Sequence, residues 1–325
     1  MTTLYLDRKG LELKLDGAAL ALYENGSRVR TVPLALLERV VIHAETVLSS
    51  SLVGALAEKG CATVILSGRQ GRRLAVIQGR AHSDAALRVA QYAQTQDPAW
   101  RLGWAKRFVG AKLARQQRFL QRVQAGRPDR SKPIFDALQS LRPLRARIAG
   151  DASSLESLRG LEGAAQAAYF RAFTTLFPQS LGFCNRNRRP PRDPVNACLS
   201  LAYTLVHFEG ARAAYAAGLD PFLGFFHEMA FGRESLACDL IEPVRPLVDA
   251  WIWEIFRARA LRPEHFTLDK GACLLEKTGR ARFYEYFEQF LRPTASRLRG
   301  YCRLLARVLR SHAPDLPTVD EEDEP

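Results

Sequence analysis

The chain has 325 residues, of which 47% are hydrophobic and 25% charged, a balance typical of a folded globular protein. No apolar run approaches the roughly 18 residues that a membrane-spanning helix needs, and the first residues lack the basic and then apolar pattern of a signal peptide. The 6 cysteines form no Cys-x-x-Cys pair, which argues against a disulfide framework and a cysteine zinc site. The composition therefore predicts a cytoplasmic globular protein without a membrane segment.

The formal net charge of +13 predicts a polyanionic partner, and nucleic acid is the most common one in a cytoplasm. An alternative is that the excess of arginine only reflects a GC-rich genome. Clustering favours the first interpretation, because residues 101–130 carry nine cationic side chains against one acid, and residues 186–192 carry four arginines. Such clusters can neutralise phosphates along a duplex. Residues 320–324 have the opposite charge and predict a solvated acidic tail, which could compete with DNA.

Residues 1–80 show the alternation of apolar and polar side chains that is typical of strands. Asn25-Gly26 predicts a tight hairpin turn, and residues 50–59 predict a short helix that ends at Gly60. Strands are predicted at residues 3–7, 11–15, 19–23, 28–32, 39–42, 61–66 and 74–77, the last two joined by a turn at Gly68 and Gly71. These elements predict a small β-rich domain that ends at a hinge near residues 78–85.

From residue 84 to residue 312 apolar side chains recur at intervals of three and four, the period of an amphipathic helix. Asp193 before Pro194 predicts a sharp helix start, since the carboxylate can cap free backbone N–H groups and proline fits the first turn. Helices are predicted at residues 101–124, 153–177, 193–218, 246–261 and 280–309. The predicted fold class is α+β, with a β-rich domain at residues 1–80 and a larger, mostly α-helical domain at residues 81–325.

Glu162 lies in an apolar segment rich in small residues, where an ionised carboxylate is costly unless it is paired or binds a cation. Gly160 and Gly163 beside it favour the close approach of another backbone or of a ligand. The alternative is an ordinary salt bridge to an arginine of a neighbouring helix. The spacing alone does not decide between these two interpretations.

Two further segments carry candidate ligands. His227 has apolar neighbours, a setting that also suits a hydrogen-bonded core histidine. Asp239 and Glu242 are three residues apart, so on a helical turn both carboxylates share one face and repel each other unless a cation or a proton lies between them. Carboxylates together with one imidazole favour Mg²⁺ or Mn²⁺ over zinc.

A series of motifs in this order resembles the family of CRISPR-associated protein one, the integrase of spacer adaptation. The motifs are LEGAA at 161–165, YF at 169–170, RRPPRDPVN at 188–196, YTL at 203–205, GLDPFLGFFH at 218–227 and GRESLACDLIEPVRP at 232–246. The resemblance extends over about residues 100 to 290, and the β-domain-first layout agrees with it. Two departures are mild: Phe226 stands where the family often has leucine, and Pro243-Val244 replaces a more usual Glu-Phe or Pro-Phe.

The resemblance implies site residues and a reaction. Glu162 and His227 match the family's metal-binding Glu and His, and Glu242 matches its third acidic ligand. Asp239 matches an acidic neighbour that supports a ligand or substitutes for one. The implied activity is that of a Mg²⁺- or Mn²⁺-dependent DNA endonuclease and integrase, which joins the 3′-hydroxyl ends of a DNA fragment to the repeat array by transesterification.

The resemblance also implies partners: double-stranded DNA, a second copy of the chain bound through the β-rich domain, and the small ferredoxin-like adaptation protein. The side chains predicted to contact DNA are Arg107, Lys112, Arg115, Arg188, Arg189, Arg233 and Arg245. For the last two, the alternative is a salt bridge that orients Asp239 or Glu242.

Two other functions fit parts of the same pattern. A general metal-dependent nuclease of DNA repair would use the same three ligands on a different substrate. A non-catalytic DNA-binding subunit would not need them, and acids in apolar segments argue against it. A zinc hydrolase is disfavoured because the sequence has neither a His-Glu-x-x-His motif nor a cysteine pair.

Overall fold

The N-terminal part of the chain forms two four-stranded sheets in a computed structural model that describes residues 2–66, 73–77, 79, 82, 84–126, 128–150, 152–187 and 190–315. The elements are β1 (Thr2–Leu6), β2 (Leu11–Asp16), β3 (Ala19–Glu24), β4 (Ser27–Pro33), β5 (Leu37–Ile42), β6 (Thr46–Leu48), α1 (Ser50–Glu58), β7 (Ala62–Leu66) and β8 (Arg73–Ile77). The predicted turn at Gly68 and Gly71, part of the predicted hinge and the acidic tail lie outside the described residues.

The first sheet has the strand order β1-β5-β7-β8, and the second has the order β4-β3-β2-β6. The predicted hairpin between β3 and β4 is confirmed, because Asn25 (φ 50°) and Gly26 (φ 77°) both take left-handed backbone angles and Glu24 pairs with Ser27. Strand β5 runs parallel to both β1 and β7, which places it in the interior of its sheet.

Alternate residues of β5 belong to two different hydrophobic cores, because successive side chains of a strand point to opposite faces. Val40 and Ile42 pack into the small core between the two sheets. Val41 packs into the large core of the helical part, together with Val64 of β7. The first sheet is therefore covered on both faces.

The rest of the described chain is mostly helical, which confirms the predicted α+β class. Its elements are α2 (Ala85–Gln96), α3 (Pro98–Gly126), α4 (Ser131–Ala149), α5 (Leu155–Thr174), α6 (Pro194–Ala216), α7 (Ser235–Ile241), α8 (Arg245–Arg257), β9 (Phe266–Asp269), β10 (Ala272–Leu275) and α9 (Lys277–Arg310). The predicted start of α6 is confirmed, since the Asp193 side chain accepts a hydrogen bond from the Asn196 N–H at 2.8 Å.

A buried ion pair joins the first sheet to the helices. Arg39 at the start of β5 lies 2.8 Å from Glu209 of α6, and the two side chains are 4% and 0% exposed. Glu209 is also bound by Arg212, one turn further along α6. Among the described residues, no helix is both long enough and apolar enough to cross a membrane.

Candidate metal centre

Glu162 lies in the middle of α5, a helix that packs into the large core through residues such as Leu161 and Ala165. Its carboxylate is 2.5 Å from the ammonium of Lys112 on α3. A Cβ atom placed at Gly160 or Gly163 would meet no described atom within 4 Å, so the predicted close backbone approach is not found there. These glycines instead leave the helix surface beside Glu162 open.

Asp239, on α7, is completely buried and holds the segment that carries His227. It accepts hydrogen bonds from the backbone N–H groups of Phe225 (2.6 Å), Phe226 (3.0 Å) and His227 (2.9 Å). It also lies 2.6 Å from the His227 ring nitrogen Nδ1. A carboxylate acceptor at Nδ1 favours the tautomer that carries the proton on Nδ1 and leaves the Nε2 lone pair for another partner.

Close packing of the backbone makes this arrangement possible. A Cβ atom at Gly224 would lie 2.6 Å from the backbone carbonyl carbon of Ser235, at the first turn of α7. Only glycine allows the chain before His227 to lie this near to α7 without displacing it. The short distance brings the N–H groups of the segment onto the Asp239 carboxylate.

Glu242 follows α7 and is 4% exposed. One of its carboxylate oxygens is 2.6 Å from the Lys112 ammonium, and the other is 2.6 Å from Nε of Arg245 and 4.0 Å from Nε2 of His227. Burial alone raises the pKa of the Glu242 carboxyl, but the charges of Lys112 and Arg245 outweigh it and hold that pKa below its ordinary value. Glu242 is therefore ionised at neutral pH.

Lys112 is the centre of this cluster. The residue is 3% exposed, and its ammonium contacts both Glu162 and Glu242. Burial lowers the pKa of the Lys112 ammonium, whereas the charges of the two carboxylates raise it, and the net direction is upward. The sequence predicts that Lys112 contacts the duplex backbone, whereas in the structure this side chain is enclosed between two acids.

The donor groups fit a hard divalent cation in their chemistry, but not in their present spacing. Glu162 and Glu242 already share one positive group, and Nε2 of His227 lies 4.0 Å from a Glu242 oxygen. Among the described residues, however, no three His, Cys, Asp or Glu side chains converge closely enough to hold a metal ion while the Lys112 ammonium lies between them. Oxygen and imidazole ligands suit Mg²⁺ or Mn²⁺ once that ammonium moves aside.

Arg245 closes the other side of the cluster. Besides its ion pair with Glu242, its guanidinium lies 4.8 Å from the ring centroid of Tyr203, in a cation–π contact. The salt bridge that was the alternative for Arg245 is therefore present in the structure. Behind it, Asp249 of α8 is hydrogen-bonded to Tyr203.

The other predicted DNA-contacting side chains lie in different environments. Arg107 is exposed and covers the Trp104 ring at 5.0 Å, and Arg233 is exposed, with one weak contact to a backbone carbonyl. Arg115 is partly buried and donates to the Pro243 carbonyl at 2.6 Å and to Tyr301. Arg188 and Arg189 lie outside the described residues.

Arg159 of α5 is not among the residues predicted from the sequence, although it is three residues before Glu162 and so on the same helix face. It donates to the Phe226 carbonyl at 3.0 Å and forms an ion pair with Glu228, which Arg101 of α3 also approaches at 3.5 Å. The spacing from Glu162 is the signal that could have identified it. Arg159 ties α5 to the segment that carries His227.

Comparison with known proteins gives the family of this chain. A family model described as CRISPR associated protein Cas1 matches residues 4–289. A curated relative, the CRISPR-associated endonuclease Cas1 1 of Thermodesulfovibrio yellowstonii, is 37% identical over 309 residues, which cover 94% of this chain and 96% of the relative.

Two solved structures share the fold. A casposase bound to integration product superposes with a TM-score of 0.84 at 24% identity, covering 99% of this chain and 97% of that one. A chain of a Cas6-RT-Cas1–Cas2 complex superposes with a TM-score of 0.80 at 22% identity, covering 96% of this chain but 35% of that longer chain. The family model matches residues 4–289, and the curated relative is 37% identical over 94% of this chain. These two matches show that the chain belongs to the Cas1 family of CRISPR-associated proteins.

Proposed function

We propose that the chain is a divalent-metal-dependent DNA endonuclease and integrase of CRISPR adaptation, which joins 3′-hydroxyl ends of a DNA fragment to a repeat array by transesterification. The observation that carries the proposal is the buried Lys112 ammonium shared by Glu162 and Glu242, with Nε2 of His227 4.0 Å from a Glu242 oxygen. The endonuclease name of the Thermodesulfovibrio relative and the integration product of the casposase support the reaction class.

In this proposal Glu162, Glu242 and Nε2 of His227 hold Mg²⁺ or Mn²⁺. The bound metal supplies Lewis-acid polarisation of the phosphodiester and stabilises negative charge on the 3′ oxygen. Asp239 fixes the orientation of the His227 ring and presents Nε2 to the site, as outer hydrogen-bond partners of metal ligands commonly do.

The two cations of the cluster have separate roles. Arg245 keeps Glu242 ionised and in place, since the two are in direct contact at 2.6 Å. Lys112 neutralises both acids in the structure, and its ammonium would lie outside the space between them if Glu162 and Glu242 held a metal ion. Its flexible ammonium can then pair with a phosphate oxygen of the DNA, which is the usual role of lysine in phosphoryl transfer.

We also propose the partners that the family implies. Residues 1–80 would form the dimer contact and residues 81–325 the catalytic part, with double-stranded DNA held by exposed cations such as Arg107 and Arg233. For the proposed assembly with the small ferredoxin-like adaptation protein, the support is that a chain of this fold occurs together with Cas2 in the solved Cas6-RT-Cas1–Cas2 complex.

Strand transfer tests this function. Purified protein, with and without Mn²⁺ or Mg²⁺, is incubated with a short duplex bearing free 3′-hydroxyls and a supercoiled plasmid that carries a repeat. We expect joining that requires metal and the 3′-hydroxyl, and that Glu162→Gln and His227→Ala abolish while leaving DNA retention largely intact. Glu254→Gln, at a partly exposed, ion-paired glutamate of α8, is the matched control and should join normally.

The other outcomes are informative. Cleavage without joining, even with the small adaptation protein added, would indicate a general nuclease. DNA binding with neither reaction would indicate a structural subunit, and full activity of both site variants would refute the ligand assignment.

A further inference from the structure

Glu242 lies in a short connection between α7 and α8 and not inside a helix. This connection, residues 242–244, is here named the Glu242 joint. Helix α8 starts from the Val244 carbonyl, which accepts hydrogen bonds from the N–H groups of Leu247 (2.9 Å) and Val248 (3.2 Å). The position of the Glu242 carboxylate therefore depends on the contacts that fix the joint.

Helix α3 contacts the Glu242 joint at two consecutive residues. Lys112 lies 2.6 Å from the Glu242 carboxylate, and Arg115, one turn further along the same helix face, donates from Nη1 to the Pro243 carbonyl at 2.6 Å. A hydrogen bond from a guanidinium is stronger than one between neutral groups. Because it does not use the Glu242 carboxylate, the contact of Arg115 does not compete with a metal ion.

Tyr301 of α9 orients the Arg115 guanidinium. Its hydroxyl accepts a hydrogen bond from Nη2 of Arg115 at 2.5 Å, and its ring centroid lies 5.8 Å from the guanidinium carbon. The backbone that carries Tyr301 is anchored in the core, since Leu298, Cys302 and Leu305 of α9 are completely buried. Each terminal nitrogen of Arg115 therefore has a fixed acceptor.

These contacts favour a role for Arg115 other than the predicted DNA contact. A cation that neutralises a phosphate needs donors that face the DNA backbone. Arg115 is partly buried and uses both terminal nitrogens inside the protein, whereas Arg118, three residues further along α3, is exposed. The hydrogen bonds of Arg115 lead to the residue next to a proposed metal ligand.

We propose that Arg115 and Tyr301 are positioning residues, which fix the Glu242 joint so that the Glu242 carboxylate is presented to the metal ion. The inference rests on the proposed function, because it takes Glu242 as a metal ligand. The family model matches residues 4–289, so Tyr301 supports the site from a part of the chain that follows the matched range. Hydrogen-bond partners outside the ligand set commonly raise metal affinity by 10- to 100-fold.

The affinity for Mn²⁺ tests this role without DNA or turnover. Electron paramagnetic resonance of the full chain, titrated with Mn²⁺, gives the affinity of each variant. We expect Arg115→Met to bind Mn²⁺ about tenfold more weakly than wild type. Tyr301→Phe, which keeps the ring and removes the acceptor, should weaken binding in the same direction by less. Arg115→Lys keeps the charge but not the planar pair of donors, so it should recover little of the loss.

A double variant shows whether the two residues act through one series of contacts. In Arg115→Met the Tyr301 hydroxyl has already lost this donor, so adding Tyr301→Phe should not weaken Mn²⁺ binding further. The matched controls are Arg118→Met and Tyr286→Phe, at an exposed arginine of α3 and an exposed tyrosine of α9. Both should bind Mn²⁺ as wild type does, and circular dichroism of the metal-free variants confirms folding.

DNA binding in EDTA separates positioning from DNA contact. We expect Arg115→Met to bind a short duplex with the affinity and the salt dependence of wild type. If Arg115 contacted a phosphate instead, the slope of log affinity against log salt concentration would fall by about one.

Three results would overturn the inference: wild-type Mn²⁺ affinity in Arg115→Met, additive losses in the double variant, or the smaller salt slope. The proposed function can fail separately. If the expected losses of Mn²⁺ affinity were found but wild-type protein did not join DNA, the proposed function would be refuted and the positioning role would stand. If wild-type protein joined DNA with Mn²⁺ and both variants kept wild-type Mn²⁺ affinity, the positioning role alone would be refuted.

Discussion

The buried ammonium of Lys112 lies between two carboxylates that the proposed function assigns to a metal ion. The ammonium and the metal ion therefore compete for one space. Replacing Lys112 by methionine leaves Glu162 and Glu242 close together without a shared positive charge. We expect the metal-free variant to lose stability on the order of 3 kcal/mol, and its Mn²⁺ affinity, measured by electron paramagnetic resonance, to rise because the resident competitor is gone. Weaker Mn²⁺ binding in Lys112→Met than in wild type would contradict this competition between the ammonium and the metal ion.

The matched control is Lys106→Met, which removes a partly exposed lysine of the same helix. It should change neither the melting temperature of the metal-free protein nor its Mn²⁺ affinity. Equal changes of melting temperature and Mn²⁺ affinity in both variants would show that the effect comes from the net charge of α3 and not from the contact with Glu162 and Glu242.

Asp249 gives a pH-dependent prediction. Burial raises the pKa of its carboxyl to about 6, above the roughly 3.9 of an unfolded chain. The folded state therefore binds this proton more tightly, and the stabilisation is complete below the unfolded pKa and lost as the pH rises through about 6. Asp249→Asn cannot ionise, so its stability relative to wild type should increase from pH 4 to pH 7, by on the order of 2 kcal/mol.

Denaturant unfolding at a series of pH values measures this difference. Asp136→Asn, at an exposed position of α4, is the control and should show no such trend. A difference between Asp249→Asn and wild type that stayed constant with pH would show that Asp249 does not titrate in this range.

At the scale of elements, the contact of the chain before His227 with α7 depends on Gly224. An alanine there would place Cβ 2.6 Å from the Ser235 backbone, so the segment must move away from Asp239. We expect Gly224→Ala to lower stability by about 1–3 kcal/mol and to weaken Mn²⁺ binding, as measured by thermal unfolding with and without Mn²⁺. Gly54→Ala in α1, where the added Cβ would meet no described atom within 4 Å outside its own helix backbone, should be neutral or stabilising.

The elements that can be predicted from the sequence are those with strong local patterns. Asn25-Gly26 and Asp193-Pro194 define a turn and a helix start through their own backbone preferences, and both are found. Helix α4 is not predicted as a separate element, and it contains Pro143, which ordinarily disfavours a helix interior. The hairpin of β9 and β10 is not predicted either, because four-residue strands are too short to show a period.

The site is only partly predictable from the sequence. The apolar surroundings of Glu162 leave a metal and a salt bridge open, and the spacing of Asp239 and Glu242 predicts a cation or a proton between those two carboxylates. The structure instead places the Lys112 ammonium between Glu162 and Glu242, while Asp239 binds backbone N–H groups and His227. The sequence predicts Lys112 as a DNA contact, but its inward position could have been recognised, because Lys112 follows the buried Phe108 by four residues on the same face of α3. Only the packing of three helices brings it between the two acids.

At the scale of the whole molecule, the ion pair of Arg39 and Glu209 holds the first sheet against the helices. Arg39→Met leaves a fully buried carboxylate with Arg212 as its main partner, and we expect a loss on the order of 3 kcal/mol in the free energy of unfolding. The double variant Arg39→Met/Glu209→Met, which removes both charges, should lose less than the single one. If denaturant unfolding showed equal losses of stability in the single and the double variant, the loss would come from altered packing and not from the unpaired charge.

Strand β5 contributes to two cores at once, since Val40 and Ile42 face one and Val41 faces the other. Neither core can open without exposing the strand that they share, so the sheets and the helices should melt in a single cooperative transition. In hydrogen–deuterium exchange, the backbone amides of β5 should be among the last to exchange, and only through opening of the entire molecule. A strand of six residues would then set the kinetic lifetime of the whole fold.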